Sequence, residues 1–340
     1  MKAMILAAGE GTRLRPLTLA LPKPMVPLAN TPLLTRTIRL LATHGVTEIA
    51  VNLHHLPEPI RAALGDGAEL GVHLCYSDEP TLMGTAGGVK RMEQFLDETF
   101  LVLYGDNLYG ADFGPLIEFH RERRALATLA TFEAANPSAC GLVVTDSDGR
   151  VTRFQEKPLP ADVFTNQANA GVYVLEPEVL DLVPRDTPWD FGRDVFPGLL
   201  SRRTGAIFAR PLGGYLQDTG TIQSYKQAIF DLIEGRVDGL AAESAISASA
   251  VVSAAARVGS RAILGPGTVV EDNVTVDSSI VWEGARVGAG ASVRDSILGR
   301  GVVIGSGAVV DRAILADGVV VAPGTRVPTG ARIDPGTRVG

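Results

Sequence analysis

The chain has 340 residues, of which 20 % are charged and 46 % apolar, and its formal net charge at pH 7 is −7. This balance is typical of a soluble globular protein with room for two domains, and the negative charge argues against nucleic acid and anionic membranes as partners. The N-terminal apolar run is too short for a signal peptide, and no run reaches the roughly 20 apolar residues of a membrane span. We expect a cytoplasmic protein whose two cysteines are free thiols.

Residues 1–235 alternate between strand-like and helix-like patterns. Helix patterns cover 31–44, with Thr31 as N-cap, and 84–96; apolar runs predict strands at 2–8, 47–53, 71–77 and 99–106. Strands that alternate with helices predict a Rossmann-like α/β domain with a mostly parallel sheet. In such a sheet, ligands bind beyond the carboxyl ends of the strands.

Two further patterns follow. Two alternating runs flank Ser147-Asp148-Gly149, which predicts a β-hairpin within 141–158. Residues 236–250 are rich in alanine and serine and are interpreted as a linker. The predicted organisation is therefore a domain of residues 1–235, a linker at 236–250 and a second domain of residues 251–340.

The second domain carries a hexad repeat. Aliphatic residues recur every six positions, with a five-residue step at each of the phrases DSSIV, DSILG and DRAIL. This period predicts a left-handed parallel β-helix in which each aliphatic residue points into a narrow core. A β-sandwich rich in valine and glycine is the alternative. The positions are 252, 258, 264, 270, 276, 281, 287, 293, 298, 304, 310, 315, 321, 327, 333 and 339.

The repeat itself lacks catalytic residues. Many hexapeptide-repeat proteins are acyltransferases, which need a histidine as general base. All five histidines of this chain lie at or before His120. We therefore expect the β-helix to serve assembly or regulation, and we expect the protein to form a homo-oligomer.

The segment of residues 6–24, LAAGEGTRLRPLTLALPKP, follows the first predicted strand. Gly9 and Gly11 allow the backbone to approach a ligand closely, and successive N–H groups in such a turn can bind an anion. Arg13 and Arg15 follow at once, and Lys23 lies between two prolines. The glycine spacing is neither that of a dinucleotide fingerprint nor that of a P-loop. The cluster of amides and cations suits a polyphosphate.

At this point the sequence resembles the sugar-1-phosphate nucleotidyltransferases, also called nucleotide-sugar pyrophosphorylases. The opening GEGTRLRPLT and PKP match the family pattern at every fixed position. The resemblance continues in order along the chain, through GTAGG at 84–88, GD at 105–106, FQEKP at 154–158, NAGVY at 169–173 and DTGT at 218–221. It is strongest to mannose-1-phosphate guanylyltransferases that carry a C-terminal hexapeptide β-helix.

The resemblance implies that an NTP and a sugar-1-phosphate react to give an NDP-sugar and pyrophosphate. It implies that Asp106 and Asp218 hold Mg²⁺, an ion that prefers hard oxygen ligands. Arg13 is expected to bind the β- and γ-phosphates, and Lys23 the α-phosphate. These four residues form the predicted catalytic set; for each, the alternative is a surface or capping role.

The resemblance also assigns binding residues. The phosphate of the sugar is expected to meet Lys157. The sugar is expected to contact Gly141, Glu156, Asn169 and Gly171, although Cys140 stands where relatives often have an aromatic residue. The nucleotide-binding positions are Leu6, Ala8, Gly9, Gly11, Thr12, Arg13, Lys23, Glu79, Gly84 and Thr85.

Glu79 carries the expectation about the base. A carboxylate can accept from both N1–H and N2–H₂ of guanine, whereas uracil and thymine offer one donor. Glu79 therefore favours GTP, and the family then favours mannose-1-phosphate; a solvent-exposed Glu79 is the alternative. Three alternative functions remain: a thymidylyl- or uridylyltransferase for glucose-1-phosphate or an amino-sugar phosphate, a catalytically silent regulatory subunit that binds nucleotide sugars, and a bifunctional enzyme with acyltransferase activity.

Overall fold

The computed structural model describes residues 1–202, 205–237, 239 and 244–340. It divides into two compact units, which we name the sheet unit (Met1–Gly9 and Leu34–Gln217) and the coil unit (Glu10–Leu33 and Asp218–Gly340). This partition places Glu10–Leu33 with the C-terminal repeat, whereas the sequence patterns assign it to the first domain. Residues 238 and 240–243, within the predicted linker, lie outside the described residues.

The strands and helices up to residue 235 have the following bounds. The strands are β1 Lys2–Leu6, β2 Pro27–Leu28, β3 Thr31–Pro32, β4 Glu48–Leu53, β5 His73–Asp78, β6 Phe100–Tyr104, β7 Asn107–Gly110, β8 Ala127–Glu133, β9 Gly141–Thr145, β10 Val151–Glu156, β11 Gln167–Leu175, β12 Ile207–Pro211 and β13 Tyr215–Asp218. The α-helices are α1 Leu33–Thr43, α2 Pro57–Leu64, α3 Gly84–Lys90, α4 Gly114–Arg123, α5 Phe196–Arg202 and α6 Ile222–Ile233.

The sheet unit is built on one mixed sheet. Its main path is β10-β9-β11-β6-β1-β4-β5, with β8 beside β11 and β12 beside β8. Strands β6, β1, β4 and β5 are mutually parallel, as predicted, because helical crossovers join them. Beyond β6 the sheet continues with antiparallel pairs, through β11 and the β9–β10 hairpin. The predicted hairpin around Gly149 is confirmed.

The parallel half is apolar because helices and loops cover both of its faces. Met4 of β1 and Val102 of β6 are fully buried. They belong to one core cluster with Phe100, Tyr173 and Phe196. This core fixes the ends of the strands, where the predicted ligand-binding residues lie.

Two predicted helix boundaries are wrong. The helix predicted over 84–96 ends at Lys90. Helix α1 begins at Leu33, two residues after the expected N-cap Thr31. Thr31 instead pairs with Leu28 in a small hairpin, β2–β3. The two residues between these strands, Ala29 and Asn30, both have positive φ (45° and 73°), as a tight two-residue hairpin turn requires.

The coil unit contains the predicted parallel β-helix. Its strands stack into three parallel ladders, β14-β17-β20-β23-β26-β28, β15-β18-β21-β24 and β16-β19-β22-β25-β27. The bounds are β14 Val251–Val252, β15 Arg257–Val258, β16 Ile263–Leu264, β17 Val269–Val270, β18 Thr275–Asp277, β19 Ile280–Val281, β20 Arg286–Val287, β21 Ser292–Arg294, β22 Ile297–Leu298, β23 Val303–Ile304, β24 Val309–Asp311, β25 Ile314–Leu315, β26 Val320–Val321, β27 Arg332–Ile333 and β28 Arg338–Val339. Such a stack is consistent with a left-handed coil.

The hexad positions form the core of the β-helix. All of them lie in one apolar cluster, in which the residues from Leu264 to Val327 are buried and Val252, Val258, Ile333 and Val339 are partly buried. The five-residue steps correspond to corners at which a non-glycine residue has positive φ: Ser278, Asp295 and Arg312. The sequence alone therefore located both the core and the irregular corners.

Among the residues that the structure describes, no helix has the length and apolar character needed to cross a membrane.

Candidate active site

The glycine turn and Lys23 pack against each other in the coil unit. Gly11 has a φ of 63°, and a Cβ on it would lie 2.8 Å from the Cβ of Lys23. Thr18 Oγ1 donates a hydrogen bond to the Gly11 carbonyl at 2.8 Å. Only glycine tolerates both the positive φ and this close approach. The turn thereby holds the stem of Lys23, a residue that is only 5 % exposed.

Asp218 lies between the two cations that are predicted to bind the triphosphate. Its Oδ1 is 3.6 Å from Lys23 Nζ, and its Oδ2 is 4.0 Å from an Arg13 guanidinium nitrogen. The Gly220 N–H also donates to Oδ1, at 2.7 Å. Arg13 lies in the short 3₁₀ turn Thr12–Leu14, and its side chain is 64 % exposed. The structure thus brings together one acid and two cations that are almost 200 residues apart in sequence.

The β-helix holds Glu10–Leu33, which we name the signature segment, in place. Arg332 donates to the carbonyl of Arg15 at 3.0 Å, and Arg300 donates to the carbonyl of Ala20 at 3.2 Å. The guanidinium of Arg300 is itself fixed by two bonds to the Asp317 carboxylate, at 2.5 and 2.7 Å. These contacts explain why Glu10–Leu33 belongs to the coil unit. Neither arginine was predicted to act on this segment.

A second anchor runs through Tyr225 of α6. Its hydroxyl donates to the carbonyl of Pro27 at 2.6 Å and accepts from the indole N–H of Trp282 at 3.1 Å. Burial raises the pKa of Tyr225, so the hydroxyl keeps its proton. Trp282, the only aromatic residue of the repeat, therefore has a structural role in the described coil unit.

In the sheet unit, the predicted residues of β1 and β6 lie at neighbouring strand ends. Leu6 pairs with Tyr104, and the Gly105 N–H donates to the Leu6 carbonyl at 2.9 Å. Asp106 follows directly and is half-buried. Ala8 is buried and Gly9 is exposed. This arrangement is the one expected for a ligand site at the carboxyl ends of parallel strands.

Glu79 is not in water, so the solvent-exposed alternative is wrong. It is 3 % exposed. Its Oε1 accepts from the side-chain amide of Asn52 at 2.7 Å, and its Oε2 accepts from the Met83 N–H at 3.0 Å. Asn52 Oδ1 in turn accepts from the Ala7 N–H at 2.7 Å. The carboxylate therefore links β4 to the loop before α3, and each of its oxygens already accepts one hydrogen bond from the protein.

Gly84 and Thr85 contact residues 189–191, a segment to which the sequence analysis assigned no role. Gly84 has a φ of 70°, and a Cβ there would lie 2.6 Å from the carbonyl of Trp189. Thr85 Oγ1 donates to Asp190 at 3.1 Å and accepts from the Phe191 N–H at 2.9 Å. The motif glycine and threonine thus fasten α3 to residues 189–191.

The same segment reaches Glu156. A Cβ on Gly141 or on Gly192 would lie 2.5 Å from Glu156 Oε2, so two glycines enclose this carboxylate. Gly141 and Glu156 are also paired across the β9–β10 ladder. Burial raises the pKa of Glu156, and nearby Lys157 and Arg193 oppose that change. The predicted sugar contacts Gly141 and Glu156 therefore lie side by side.

Asn169 and Gly171 contact a pair of tyrosines. The Asn169 amide donates to the Tyr173 hydroxyl at 2.8 Å and accepts from the Gly171 N–H at 3.0 Å. A Cβ on Gly171, whose φ is 68°, would lie 2.8 Å from the ring of Tyr104. Burial raises the pKa of Tyr104 to about 12, which keeps its hydroxyl neutral. Asn169 consequently positions the backbone beside the strand that leads to Asp106.

Lys157 and Cys140 differ in their surroundings. Lys157 is 60 % exposed on its side chain, and its ammonium lies 4.0 Å from Glu156 Oε1. Its φ is 45°, and its N–H donates to the Cys140 carbonyl at 3.0 Å. Cys140 packs against the small cluster around Leu142. This agrees with a packing role for the thiol.

Two known protein families match this chain, one after the other, over nearly all of its length. The family described as Nucleotidyl transferase matches residues 2–235, and the one described as GMPPB C-terminal domain matches residues 240–339. This chain belongs to the nucleotidyl transferase family. The relatives that it resembles are named for different nucleotides and different sugar phosphates.

A protein of Synechocystis sp. (strain ATCC 27184 / PCC 6803 / Kazusa), named UTP--glucose-1-phosphate uridylyltransferase, is 39 % identical over 243 residues, which cover 67 % of this chain and 62 % of that protein. The mannose-1-phosphate guanylyltransferase of Mycobacterium tuberculosis is 38 % identical over 234 residues, or 68 % of this chain and 65 % of the relative. A protein of Yarrowia lipolytica, named mannose-1-phosphate guanyltransferase, is 37 % identical over 65 % of this chain and 61 % of the relative. The matches thus span less than two thirds of each relative.

A solved structure from Bacillus anthracis, provisionally assigned as a glucose-1-phosphate thymidylyltransferase, has a TM-score of 0.62 to this chain at 23 % identity. The match covers 68 % of this chain and 94 % of that one. At this identity it establishes the fold.

The predicted metal ligands are Asp106 of the sheet unit and Asp218 of the coil unit, and the chemistry of each carboxylate suits a magnesium ion. Asp106 and Asp218 offer hard carboxylate oxygens, and the side chain of Asp218 is 51 % exposed. Within the described residues, no group of three or more His, Cys, Asp or Glu could enclose a metal ion by itself. Mg²⁺ commonly binds through one or two carboxylates together with substrate phosphates, so a protein cage is not required.

In the sheet unit, three residues that contact predicted site residues were not predicted: Asn52, Asp190 and Arg193. Asn52 had a usable signal, because it is a polar residue in the apolar strand EIAVNL. Asp190 and Arg193 had none, since the segment around them matches no motif. Only the structure shows that this segment joins Thr85 to Glu156.

Proposed function

We propose that this protein transfers a nucleotidyl group from an NTP to a sugar-1-phosphate and releases pyrophosphate. The observation that carries the proposal is the convergence of Gly11, Arg13, Lys23 and Asp218, inside a chain of the nucleotidyl transferase family. An amide turn, two cations and one acid form a site suited to a polyphosphate with a divalent ion. The retained cations and acids also argue against a catalytically silent regulatory subunit.

The reaction needs alignment and charge neutralisation more than proton transfer. A sugar phosphate is mostly dianionic at pH 7 because its second pKa is about 6. It can attack the α-phosphorus in line without a general base. In the proposed mechanism Lys157 binds the attacking phosphate, Lys23 neutralises the α-phosphate and Arg13 binds the departing pyrophosphate.

When bound, a magnesium ion held by Asp106 and Asp218 would neutralise the phosphates of the two substrates. The chain's own contribution is to hold each of these groups ready. The Gly220 N–H fixes Asp218, the glycine turn fixes Lys23, and Gly105 fixes the backbone before Asp106.

For the substrates we propose GTP and mannose-1-phosphate. Support comes from the buried carboxylate of Glu79, from relatives named mannose-1-phosphate guanylyltransferase, and from the match to the GMPPB C-terminal domain. The second candidate is a uridylyl- or thymidylyltransferase for glucose-1-phosphate. It is favoured by the 39 % identity to a relative named as a uridylyltransferase and by the occupied acceptors of Glu79.

A substrate panel separates the candidates. Purified protein with Mg²⁺ would be tested with GTP, UTP, dTTP and ATP against mannose-, glucose- and amino-sugar-1-phosphates, with pyrophosphate release as the readout. The proposal expects the fastest turnover with GTP and mannose-1-phosphate. Faster turnover with UTP or dTTP than with GTP for every sugar phosphate overturns the base assignment. In a separate assay, product formation from acetyl-CoA would support the alternative of a bifunctional enzyme with acyltransferase activity. Homo-oligomerisation through the β-helix remains a prediction that light scattering can test.

A further inference from the structure

The coil unit contains a second cavity, distinct in nearly all of its residues from the proposed catalytic site. It lies between α6 and the corner of the β-helix that carries Asp295 and Arg312, and its volume is about 800 Å³. Cavities of this size hold small organic ligands. Of the residues assigned above to substrates or metal, only Arg13 lines it.

The charged side chains that line this cavity, which we call its rim, are mostly cationic. The rim carries Arg13, Lys226, Arg261, Arg312 and Arg332, against one acid, Asp295. Such a rim is unusual in a chain whose net charge is −7. A concave surface lined by one sign of charge concentrates ligands of the opposite sign.

Part of this charge is already neutralised. Lys226 pairs with Asp295, and Arg261 pairs with Glu234 at 2.7 Å. Arg312 has a longer contact with Asp311, 3.3 Å between two exposed side chains, which is worth little in water. The guanidinium of Arg332 donates to a backbone carbonyl, that of Arg15, instead of to a carboxylate. Arg312 and Arg332 are therefore the cations best placed to bind an added anion.

Apolar side chains also line the cavity, and we refer to them together as its floor. It includes Phe230, Ile297 and Ile314, which are 8 %, 1 % and 8 % exposed. Inorganic phosphate would leave this floor uncovered, whereas an organic phosphate can place its anion on the arginines and its body on the floor. The N-terminus of α6, at Thr221 and Ile222, adds a partial positive charge to the wall.

From these observations we infer that the cavity is a binding site for a small organic phosphate, separate from the substrates' site. The phosphoryl groups bind Arg312 and Arg332, and the organic part packs on Ile297 and Ile314. The ligand is either a nucleotide, with its base on the apolar floor, or a base-free phosphorylated metabolite.

Occupancy is coupled to the signature segment by two contacts. Arg13 lies in the cavity wall, and Arg332 holds the carbonyl of Arg15 at 3.0 Å. A phosphate on Arg332 competes for, or reorients, the guanidinium that fixes this segment. This coupling rests on the proposed function, because it assumes that Arg13 binds the triphosphate; the binding site itself does not.

Equilibrium dialysis of the full-length protein with GDP and, separately, with ribose-5-phosphate tests the site. The test variant is Arg312→Glu, and Arg312→Gln is the milder alternative if charge reversal prevents folding. The matched control is Arg286→Glu, which replaces an exposed arginine on strand β20 of the same β-helix, outside the cavity. We expect wild type and the Arg286 variant to share a class of sites for at least one probe. That class should weaken by about tenfold or more in the Arg312 variants, as for loss of a charge-assisted bond.

Tighter GDP binding in the Arg312-dependent class would identify the ligand as a nucleotide, and tighter ribose-5-phosphate binding would identify a base-free phosphate. Absence of any class sensitive to Arg312, or an equal loss in the Arg286 control, overturns the site. Coupling is measured separately: the probe should change the KM for NTP in wild type and leave it unchanged in Arg312→Glu. An unchanged KM in wild type overturns the coupling, whereas a protein without turnover contradicts the proposed function and leaves the dialysis result standing.

Discussion

Replacing Glu79 by glutamine separates a structural role of this carboxylate from a role in recognising the base. The wild-type carboxylate accepts from Asn52 at 2.7 Å and from the Met83 N–H at 3.0 Å. A glutamine can accept only one of these bonds, because its NH₂ group opposes the other donor. Asn52 could turn over to accept instead, but its carbonyl then leaves the Ala7 N–H, which it binds at 2.7 Å.

The expected cost is one buried hydrogen bond to a charged group, about 1.5–3 kcal/mol in the free energy of unfolding. For a chain of 340 residues, an unfolding entropy of about 2.1 cal/mol/K per residue means that each 1 kcal/mol lowers Tm by roughly 1–2 °C. Urea and thermal unfolding measure the effect. The matched control is Asp78→Asn, whose side chain is 67 % exposed and pairs with Arg61 at the surface; its expected cost is at most about 1 kcal/mol.

Kinetics on the same variant test the base assignment. If Glu79 also accepts from guanine, the glutamine variant should lose GTP turnover relative to UTP by about tenfold or more, since an unpaired buried donor costs roughly 1–3 kcal/mol. Equal stability of the variant and wild type would refute the structural reasoning. A reduced stability with an unchanged GTP-to-UTP ratio would confine Glu79 to a structural role and favour the uridylyl alternative.

Three further variants probe other parts of the sheet unit. Lys157→Ala should raise the KM for the sugar-1-phosphate by at least about tenfold through loss of a charge-assisted bond, while the KM for the NTP stays unchanged; initial-rate kinetics decide this, and equal changes in both constants would contradict it. Gly171→Ala should lower the free energy of unfolding by about 1–3 kcal/mol, because its φ is 68° and the new Cβ would lie 2.8 Å from the Tyr104 ring; Gly213→Ala, with open space around it, is the control. The pKa of Glu156 is raised in the folded state, so the free energy of unfolding of wild type should fall as pH rises from about 4.5, the unfolded value, to the folded value. Glutamine does not titrate, so Glu156→Gln should become more stable relative to wild type over the same range. Urea titrations at pH 4 and pH 7 measure this stability difference, and a difference that shrinks with pH would refute the prediction.

The β-helix was the most predictable part of the fold. Each hexad position needs one property, an aliphatic side chain in a narrow core, and the period alone fixes the pairing of successive coils. Val270, Val287 and Ile304 are 17 residues apart, which is two six-residue steps and one five-residue step, and they lie directly above one another in one ladder. The corners at Ser278 and Asp295 followed from the same period.

The N-terminus of α1 could not be placed in this way. The residues Thr31-Pro32 match a helix start, but they also match the second strand of a hairpin. The tertiary contacts decide between these readings: the turn at Ala29 and Asn30 pairs Thr31 with Leu28, and Tyr225 holds the carbonyl of Pro27. The contact with Pro27 comes from Tyr225, a residue 198 positions away, and a local sequence pattern does not include it.

The candidate site shows the same division. Motif positions such as Lys23 and Asp218 could be named from the sequence because the family pattern marks them. Arg300 and Arg332 could not, because their effect depends on which backbone carbonyl the fold brings to them. Sequence therefore located the groups proposed to contact substrates, and the structure added the groups that hold them.

The most direct test of the proposed reaction is Mg²⁺-dependent pyrophosphate release by wild type, Asp106→Ala and Asp218→Ala, with the exposed turn variant Asp148→Ala as control. We predict turnover by wild type and by the Asp148 variant. For each of the other two variants we predict a loss of about a hundredfold or more in kcat, as for removal of a group that stabilises transition-state charge. Wild-type rates in both the Asp106 and Asp218 variants would contradict this prediction.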